Sequence, residues 1–445
     1  MPTALYHTFG CKLNFAETSS VARRMADMGI RRAEKGEVPD LIFVNTCSVT
    51  ELADKKCRQT IRSYKRRYPE ASIVVTGCYA QLKSAEVAAL PGVALVIGND
   101  RKGEIDSFVA RFLDDRRKEC SVIPARDIRS FSPSCSRGDR TRYFLKVQDG
   151  CDCWCTYCAI PAARGRSRSG TVAQLVEQVR RVADEGGREV VITGVNIGDF
   201  GRRQPDAPEG APRETFLDLI RALDAVEGID RYRISSIEPD LLTDESIEFC
   251  AKSRAFMPHF HIPLQCGSDE VLRLMRRRYD TALFRRKIER IVELMPDAFI
   301  GVDLIVGARG ETDELFEESV RFVQSLPITR LHIFPYSERP GTRALEIPYV
   351  VDPQEKHRRM ERMTRLSDEK FETFARRYLG TVRPVLLEHS RPGQPMAGFT
   401  DNYLRVKVAD APASLDNCIA NVRLDRIVST EANEVVLGGT LVNNG

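Results

Sequence analysis

The feature that most constrains this chain is a rhythm. Short apolar runs of strand character alternate with helical periodicity along most of its 445 residues. Residues 3–8, 40–45, 72–76 and 94–97 read as strands, with helical patterns over 16–28, 52–67, 81–89 and 102–116. Such a series predicts an open parallel sheet with helices on both faces. The polar stretch 126–141, RDIRSFSPSCSRGDRT, reads as a linker. Strand runs then resume at 143–147, 189–193, 232–236, 259–264, 299–306 and 330–334, with helical patterns such as 172–185, 216–226 and 281–294 between them. Six βα units in series predict a partial barrel of the TIM type, with its chemistry at the strand C-terminal ends. A charged helical segment, 353–378, leaves the barrel. Short β runs at 383–388, 403–408, 419–427 and 434–441 then predict a small β-barrel. The expected fold class is α/β, with units at 1–125, 140–370 and 378–445.

Composition narrows the function. Lys and Arg number 67 against 63 Asp and Glu, so the net charge of +4 excludes a simple basic nucleic-acid coat while leaving room for local basic patches. Thirteen cysteines are an odd number and too few for a disulfide scaffold of this length. The first residues carry no signal-like pattern, and no apolar run of about 18 residues is present to span a membrane. These features predict a cytoplasmic protein with reduced thiols, some of them metal ligands.

The densest cysteine site follows the first strand of the second unit: VQDGCDCWCTYC, residues 147–158. Cys151, Cys155 and Cys158 form C-x3-C-x2-C. A loop of this spacing can wrap three thiolates around an iron–sulfur cube and leave one iron open, and an open metal position is a reaction site. A zinc site or an ordinary ferredoxin loop are the alternatives, and both usually take a fourth ligand. Cys153 supplies one only on paper, because close neighbours in so tight a loop have trouble reaching one metal.

A second set is dispersed in sequence. Cys11, Cys47 and Cys78 each end a strand run, LYHTFGC, LIFVNTC and IVVTGC. In a parallel sheet the carboxyl ends of neighbouring strands lie side by side, and ligands bind there. The three thiols are therefore expected to converge. Glycine before Cys11 and Cys78 would let backbone approach a bulky group. The bland alternative is three separate buried core cysteines.

The C-x3-C-x2-C loop after a first barrel strand resembles the radical S-adenosylmethionine superfamily. That resemblance implies that the open iron chelates S-adenosylmethionine, and that Tyr157 packs by its adenine. TFGCKLN, FVNTCSVT with ADKKCRQTIR, VVTGCYAQ, LKVQDGC with CAIPAARGRSRS, SSIEP, HFHIPLQCGSDEVLRLMRRRYD and HIFPYSERPGT together are similar to the methylthiotransferases. The β-rich end is similar to their RNA-binding TRAM domain. NTCSVTELADKKCRQTIR and GCKLN resemble the branch acting on tRNA N(6)-threonylcarbamoyladenosine. The branches acting on isopentenyl-type adenosines or on a ribosomal-protein aspartate usually differ there.

The resemblance implies two 4Fe–4S clusters, one on Cys151, Cys155 and Cys158 and one on Cys11, Cys47 and Cys78. It also implies two equivalents of S-adenosylmethionine, as methyl donor and radical source, and a tRNA anticodon stem-loop as substrate. An electron donor such as a flavodoxin-type reductant is expected, and no sulfur source can be named. Gly194 and Asn196, after the second barrel strand, are candidates to meet the cofactor amino group. Ser235, Ser236 and Glu238 are candidates for its ribose or carboxylate, and Arg164 for bidentate pairing with that carboxylate. Gln265 and Asp303 are candidate pocket residues, whereas His259 and His261 read as satisfied core histidines. Basic clusters at 55–67, 273–278 and 285–290 are candidates for RNA phosphates, against the ordinary reading of a solvated face. The competing function is a metal-stabilised RNA-binding protein without catalysis, its cysteines holding zinc.

Overall fold

A computed structural model describes residues 1–136, 141–391, 393–429 and 435–442. The first unit is a six-stranded, wholly parallel sheet in the order Arg31–Arg32, Thr3–Thr8, Leu41–Thr46, Ser72–Gly77, Val93–Ile97, Glu119–Ser121. The central Leu41–Thr46 strand is buried at every position, as a parallel strand covered on both faces requires. The two edge strands were not anticipated, being too short to show periodicity. The helix expected over 16–28 begins earlier, at Lys12, directly behind Cys11. The one expected over 81–89 is two short helices, Cys78–Leu82 and Ser84–Ala88.

The second unit holds six parallel strands in chain order, Arg142–Lys146, Glu189–Thr193, Arg231–Ile234, His259–Gln265, Phe299–Val306 and Arg330–Pro335. Single parallel bridges, Tyr232 to Phe256 and Ser236 to His261, join its two halves into a partial barrel. Capping boxes start the crossover helices Val172–Asp184 (Thr171, Gln174) and Phe216–Asp224 (Thr215, Asp218), each satisfying two otherwise unpaired N–H groups. The expected linker is partly structured. Ser134–Cys135 pairs antiparallel with the first barrel strand, while residues 137–140 lie outside the described residues.

The helix Lys12–Asp27 joins the first two units. Its Phe15 ring meets Phe144 of the first barrel strand at 6.1 Å, and Arg23 donates to the Cys135 carbonyl at 2.8 Å. After the long helix Pro353–Arg376 the chain closes a five-stranded barrel in the order Val382–Leu387, Met396–Thr400, Arg405–Val408, Val436–Leu441, Ile419–Ser429. The Met396–Thr400 strand was not anticipated, and Glu434 of the run expected at 434–441 lies outside the described residues. Arg231 donates to the Phe399 and Pro384 carbonyls, and Arg233 to those of Asp401 and Thr400, at 2.8–2.9 Å. Glu189 balances their charge, with Oε1 2.9 Å from Arg233. These bonds fix the small barrel against the strand N-terminal ends, opposite the cysteine loop. No helix among the described residues is long and apolar enough to cross a membrane.

Candidate iron–sulfur and cofactor site

The loop after the first barrel strand turns on Gly150, at φ +71°. A Cβ there would lie 2.1 Å from the Arg166 carbonyl oxygen, so only glycine fits. The Cys151 N–H donates to Gly165 at 3.1 Å. Each sulfur of the C-x3-C-x2-C set accepts from an N–H donor. Cys151 accepts from the Cys153 backbone (3.4 Å), Cys158 from the Ile160 backbone (3.4 Å) and Cys155 from the Arg277 guanidinium (3.1 Å). Donors aimed at sulfur stabilise thiolate and tune any metal it holds. Burial pushes the Cys158 thiol up to about 12, with the charge of Cys155 adding to it. Burial also raises Cys155, against the pull of Arg277. A metal cation placed among such thiols binds them as thiolates and releases their protons to solvent.

Arg277 was not singled out from the sequence, where it lay inside the basic run 273–278. The structure splits that run. Arg273 pairs with Glu270 at the surface, Arg278 donates to the Asp152 carbonyl, and Arg277 is buried. Its guanidinium meets Cys155, Glu238, Tyr279 at 3.0 Å and Tyr157 at 3.5 Å. Ion pairs among the described residues neutralise most of the 285–290 run, whereas in 55–67 they reach Arg58 alone. Arg58 pairs with Glu86, Lys287 with Asp244 and Arg290 with Glu248.

Around this loop the candidate cofactor residues gather. The Gln148 Oε1 accepts from the backbones of Val195 (3.0 Å) and Asn196 (2.8 Å), locking the turn that begins at Gly194. Asn196 is buried. Its Nδ2 faces Cys153 at 3.7 Å while its Oδ1 has no partner among the described residues. A buried acceptor without a donor is costly, and a cofactor ammonium would satisfy it. Burial raises the Glu238 carboxyl, against Arg277. Ser235 is buried one residue beyond the third strand, and Ser236 bridges to His261. Tyr157 packs beside Cys266, Tyr279, Tyr336 and Ala344, and burial holds its hydroxyl well above the usual range. Gln265 takes φ +68° at a register shift. Asp303 Oδ1 accepts from the His261 Nε2 at 2.7 Å, and the His261 ring stacks on His332 at 4.9 Å. His261 therefore belongs to a lumen cluster, while His259 stacks in the core on Phe299.

Cys11, Cys47 and Cys78 stand at the C-terminal ends of three adjacent strands, as their context predicted. A Cβ on Gly10 (φ +94°) would come 2.9 Å from the Cys47 sulfur, and one on Gly77 (φ +98°) 2.3 Å from the Thr46 carbonyl. Asn14 donates to the Phe9 carbonyl (2.7 Å) and the Thr46 carbonyl (3.1 Å), gripping the backbone before both cysteines. Burial and the neighbouring Cys78 push the Cys47 thiol up to about 11.

Arg164 departs from expectation. It is buried and donates to Glu17 (3.1 Å), Asp149 (3.0 Å) and Asn14 (2.6 Å). Its charge acts on Cys78 rather than on a cofactor carboxylate, and its donors are engaged by these partners. It ends the helix Ile160–Arg164, which packs on the Cys78–Leu82 helix. Asn99 fastens the same contact by donating to the Ala163 carbonyl at 2.8 Å. The two trios thus sit on abutting segments.

Among the described residues no three His, Cys, Asp or Glu side chains form a set that could hold one metal ion. An iron–sulfur cube presents separate corners to its thiolates, so its three ligands need not converge on one point.

Known proteins agree with this architecture. The family model of the radical SAM superfamily matches residues 145–323, and that described as uncharacterized protein family UPF0004 matches residues 3–98. The chain is 36% identical to the threonylcarbamoyladenosine tRNA methylthiotransferase MtaB of Bacillus subtilis over 91% of this chain and 90% of that one. The chain belongs to the radical S-adenosylmethionine methylthiotransferases. A second member, MtaB of Aquifex aeolicus, is 33% identical over 90% of this chain and 95% of its own. Among solved structures, the radical S-adenosylmethionine methyltransferase TsrM of Kitasatospora setae shares the fold, with a TM-score of 0.56 and 13% identity. That match covers 75% of this chain and 73% of TsrM. As a radical S-adenosylmethionine methylthiotransferase the protein is an enzyme that uses a 4Fe–4S cluster and S-adenosylmethionine.

Proposed function

We propose that the protein installs a methylthio group at carbon 2 of N(6)-threonylcarbamoyladenosine beside the anticodon of tRNA. It would use two 4Fe–4S clusters and two equivalents of S-adenosylmethionine. Cys151, Cys155 and Cys158 would hold one cluster, and Cys11, Cys47 and Cys78 the other. The observation that supports this reading is the placing of two three-cysteine sets on abutting segments. The names of the relatives at 31–36% identity supply the substrate. Sequence units at 1–125, 140–370 and 378–445 would divide the work into auxiliary cluster, radical chemistry and RNA binding.

When bound, the cofactor and clusters supply a 5′-deoxyadenosyl radical and a methylated sulfur, which an unactivated C–H bond requires and no side-chain acid–base pair can replace. The chain's own residues bind and orient. Asn196 would accept from the cofactor ammonium, and Gln148 fixes that acceptor in place. The Glu238–Arg277 pair would offer a carboxylate to the ribose while Arg277 keeps its hold on the Cys155 sulfur. Tyr157 walls the adenine side. Arg164, Glu17 and Asn14 hold the Cys11–Cys47–Cys78 set at a fixed distance from the first.

The test is nucleoside mass analysis of tRNA from a deletion strain. The proposal expects N(6)-threonylcarbamoyladenosine to lose its methylthio group and to regain it with the wild-type gene. If isopentenyl-type adenosines lose the group instead, the substrate assignment fails.

A further inference from the structure

One cavity does more than house a cofactor. It has a volume of about 640 Å³ and opens between the first two units, and Cys155, Cys158, Lys83, Trp154, Arg276 and Arg343 are among the residues that line it. Trp154 is 58% exposed, in a chain with no other tryptophan. The side chains of Lys83, Arg276 and Arg343 make no hydrogen bond or ion pair with the described residues. Three unpaired cations thus share one cavity with an exposed indole.

The arrangement is built. Trp154 and Arg276 both take left-handed backbone, at φ +51° and +57°. Thr156 ties the three segments together. Its N–H donates to the Met275 carbonyl (3.1 Å), its hydroxyl to the Leu274 carbonyl (3.0 Å), and its carbonyl accepts from the Ala344 N–H (3.0 Å). One residue therefore holds the turn that presents Arg276 and the segment that presents Arg343 against the loop that presents Trp154. The third arginine of the cavity, Arg339, is a wall rather than a free charge, with Nη2 on Ser48 (2.7 Å) and Asp54 (3.0 Å).

An exposed indole ringed by unpaired cations has the composition of a single-stranded nucleic-acid platform, where a base stacks on the ring and phosphates meet the charges. We propose that Trp154, Lys83, Arg276 and Arg343 are the landing site for the unpaired loop of the RNA substrate, one loop base stacking on the indole while its phosphates meet the cations. This rests on the proposed action on tRNA, and it places the loop beside Cys155 and Cys158. A duplex presents no free base face to the indole, so the site selects loops over stems.

The lone tryptophan makes the test direct. Reconstituted wild-type protein is titrated with a synthetic anticodon stem-loop of about 17 nucleotides carrying N(6)-threonylcarbamoyladenosine, and separately with a duplex of equal length. Tryptophan emission should be quenched saturably by the stem-loop and not by the duplex. Trp154→Ala should weaken stem-loop binding by about 5- to 150-fold, the range for a lost base–aromatic stack, and Trp154→Phe should restore most of it. Arg276→Ala with Arg343→Ala should make the slope of log K against log salt shallower by about 1.4, or about 0.7 for each lost phosphate contact. This pair keeps the test sharp if the loop variant loses its iron. Stem-loop binding that leaves emission and the double variant's slope unchanged overturns the landing site but not the tRNA reading. Wild-type protein that binds no stem-loop at all overturns both.

Discussion

The two cysteine trios solve the same chemical problem by opposite means. Cys151, Cys155 and Cys158 lie within one loop, and their sulfurs take hydrogen bonds from that loop's own backbone and from one buried arginine. Cys11, Cys47 and Cys78 come from three strands, and they meet because parallel topology sets those strand ends side by side. Two glycines let their segments touch, and Arg164 of the neighbouring unit braces the group through Asn14 and Glu17 of its own unit's first helix. A compact motif carries its geometry with it, whereas a dispersed one borrows it from the sheet and from the interface. The second trio is therefore the more fragile.

Ligand replacement should separate the two most sharply. Cys155→Ala is expected to abolish 5′-deoxyadenosine formation, followed by chromatography of the reaction mixture. Cys47→Ala is expected to leave that cleavage running and to stop methylthio transfer. Equal loss of both in the two variants would show that the trios do not act separately.

The interface should break next. Glu17 is buried among Lys102, Lys146 and Arg164. Burial alone would raise its carboxyl, yet those cations hold it well below the usual carboxylate range. Glu17→Gln leaves buried positive charge uncompensated and should cost about 3–5 kcal/mol in urea unfolding, as removal of one partner from a buried pair does. The pH dependence follows in sign. A depressed carboxylate contributes its full stability above the unfolded value of about 4.5, and the contribution fades as pH falls through the lower folded value. Asp149, depressed by Lys146, Arg164 and Arg168 against its own burial, acts in the same direction. Wild type should lose stability steeply below about pH 4.5, and Glu17→Gln less steeply. Parallel pH profiles for the two proteins would remove the network from the account.

A smaller effect should discriminate the trios by backbone alone. Gly77→Ala places a methyl 2.3 Å from the Thr46 carbonyl at a φ of +98°. It is expected to lower iron retention at the dispersed trio while deoxyadenosine formation persists. Arg277→Lys keeps a charge near Cys155 but loses the fork that also reaches Glu238 and Tyr279. A loss of about 10- to 100-fold in the rate of S-adenosylmethionine cleavage is expected, as for other groups that orient metal ligands. An unchanged rate would reduce Arg277 to a packing residue.

Much of this architecture was legible in the sequence because the strands between buried layers are nearly continuous apolar runs and the cysteines close them. The strands Thr3–Thr8, Glu189–Thr193 and Phe299–Val306 fall where periodicity placed them. The two-residue strands Arg31–Arg32 and Ser134–Cys135 escaped, since two residues carry no period. Arg277 escaped for a different reason, and Arg164 was singled out but matched to a cofactor carboxylate rather than to Glu17 and Asp149. Each stands in a run of arginines, and only tertiary packing tells which one turns inward to meet a carboxylate and a sulfur. Trp154 was hidden by the cysteines around it, although a single tryptophan between two ligands was a visible signal.

The central claim is that both trios carry an iron cube. It is tested most directly by anaerobic iron and acid-labile sulfide analysis of reconstituted wild type beside a Cys11→Ala, Cys47→Ala, Cys78→Ala variant. Two four-iron cubes predict about eight irons with matching sulfide in the first, and about four of each in the second. Wild type with about four irons, or with zinc and no sulfide, would contradict the account.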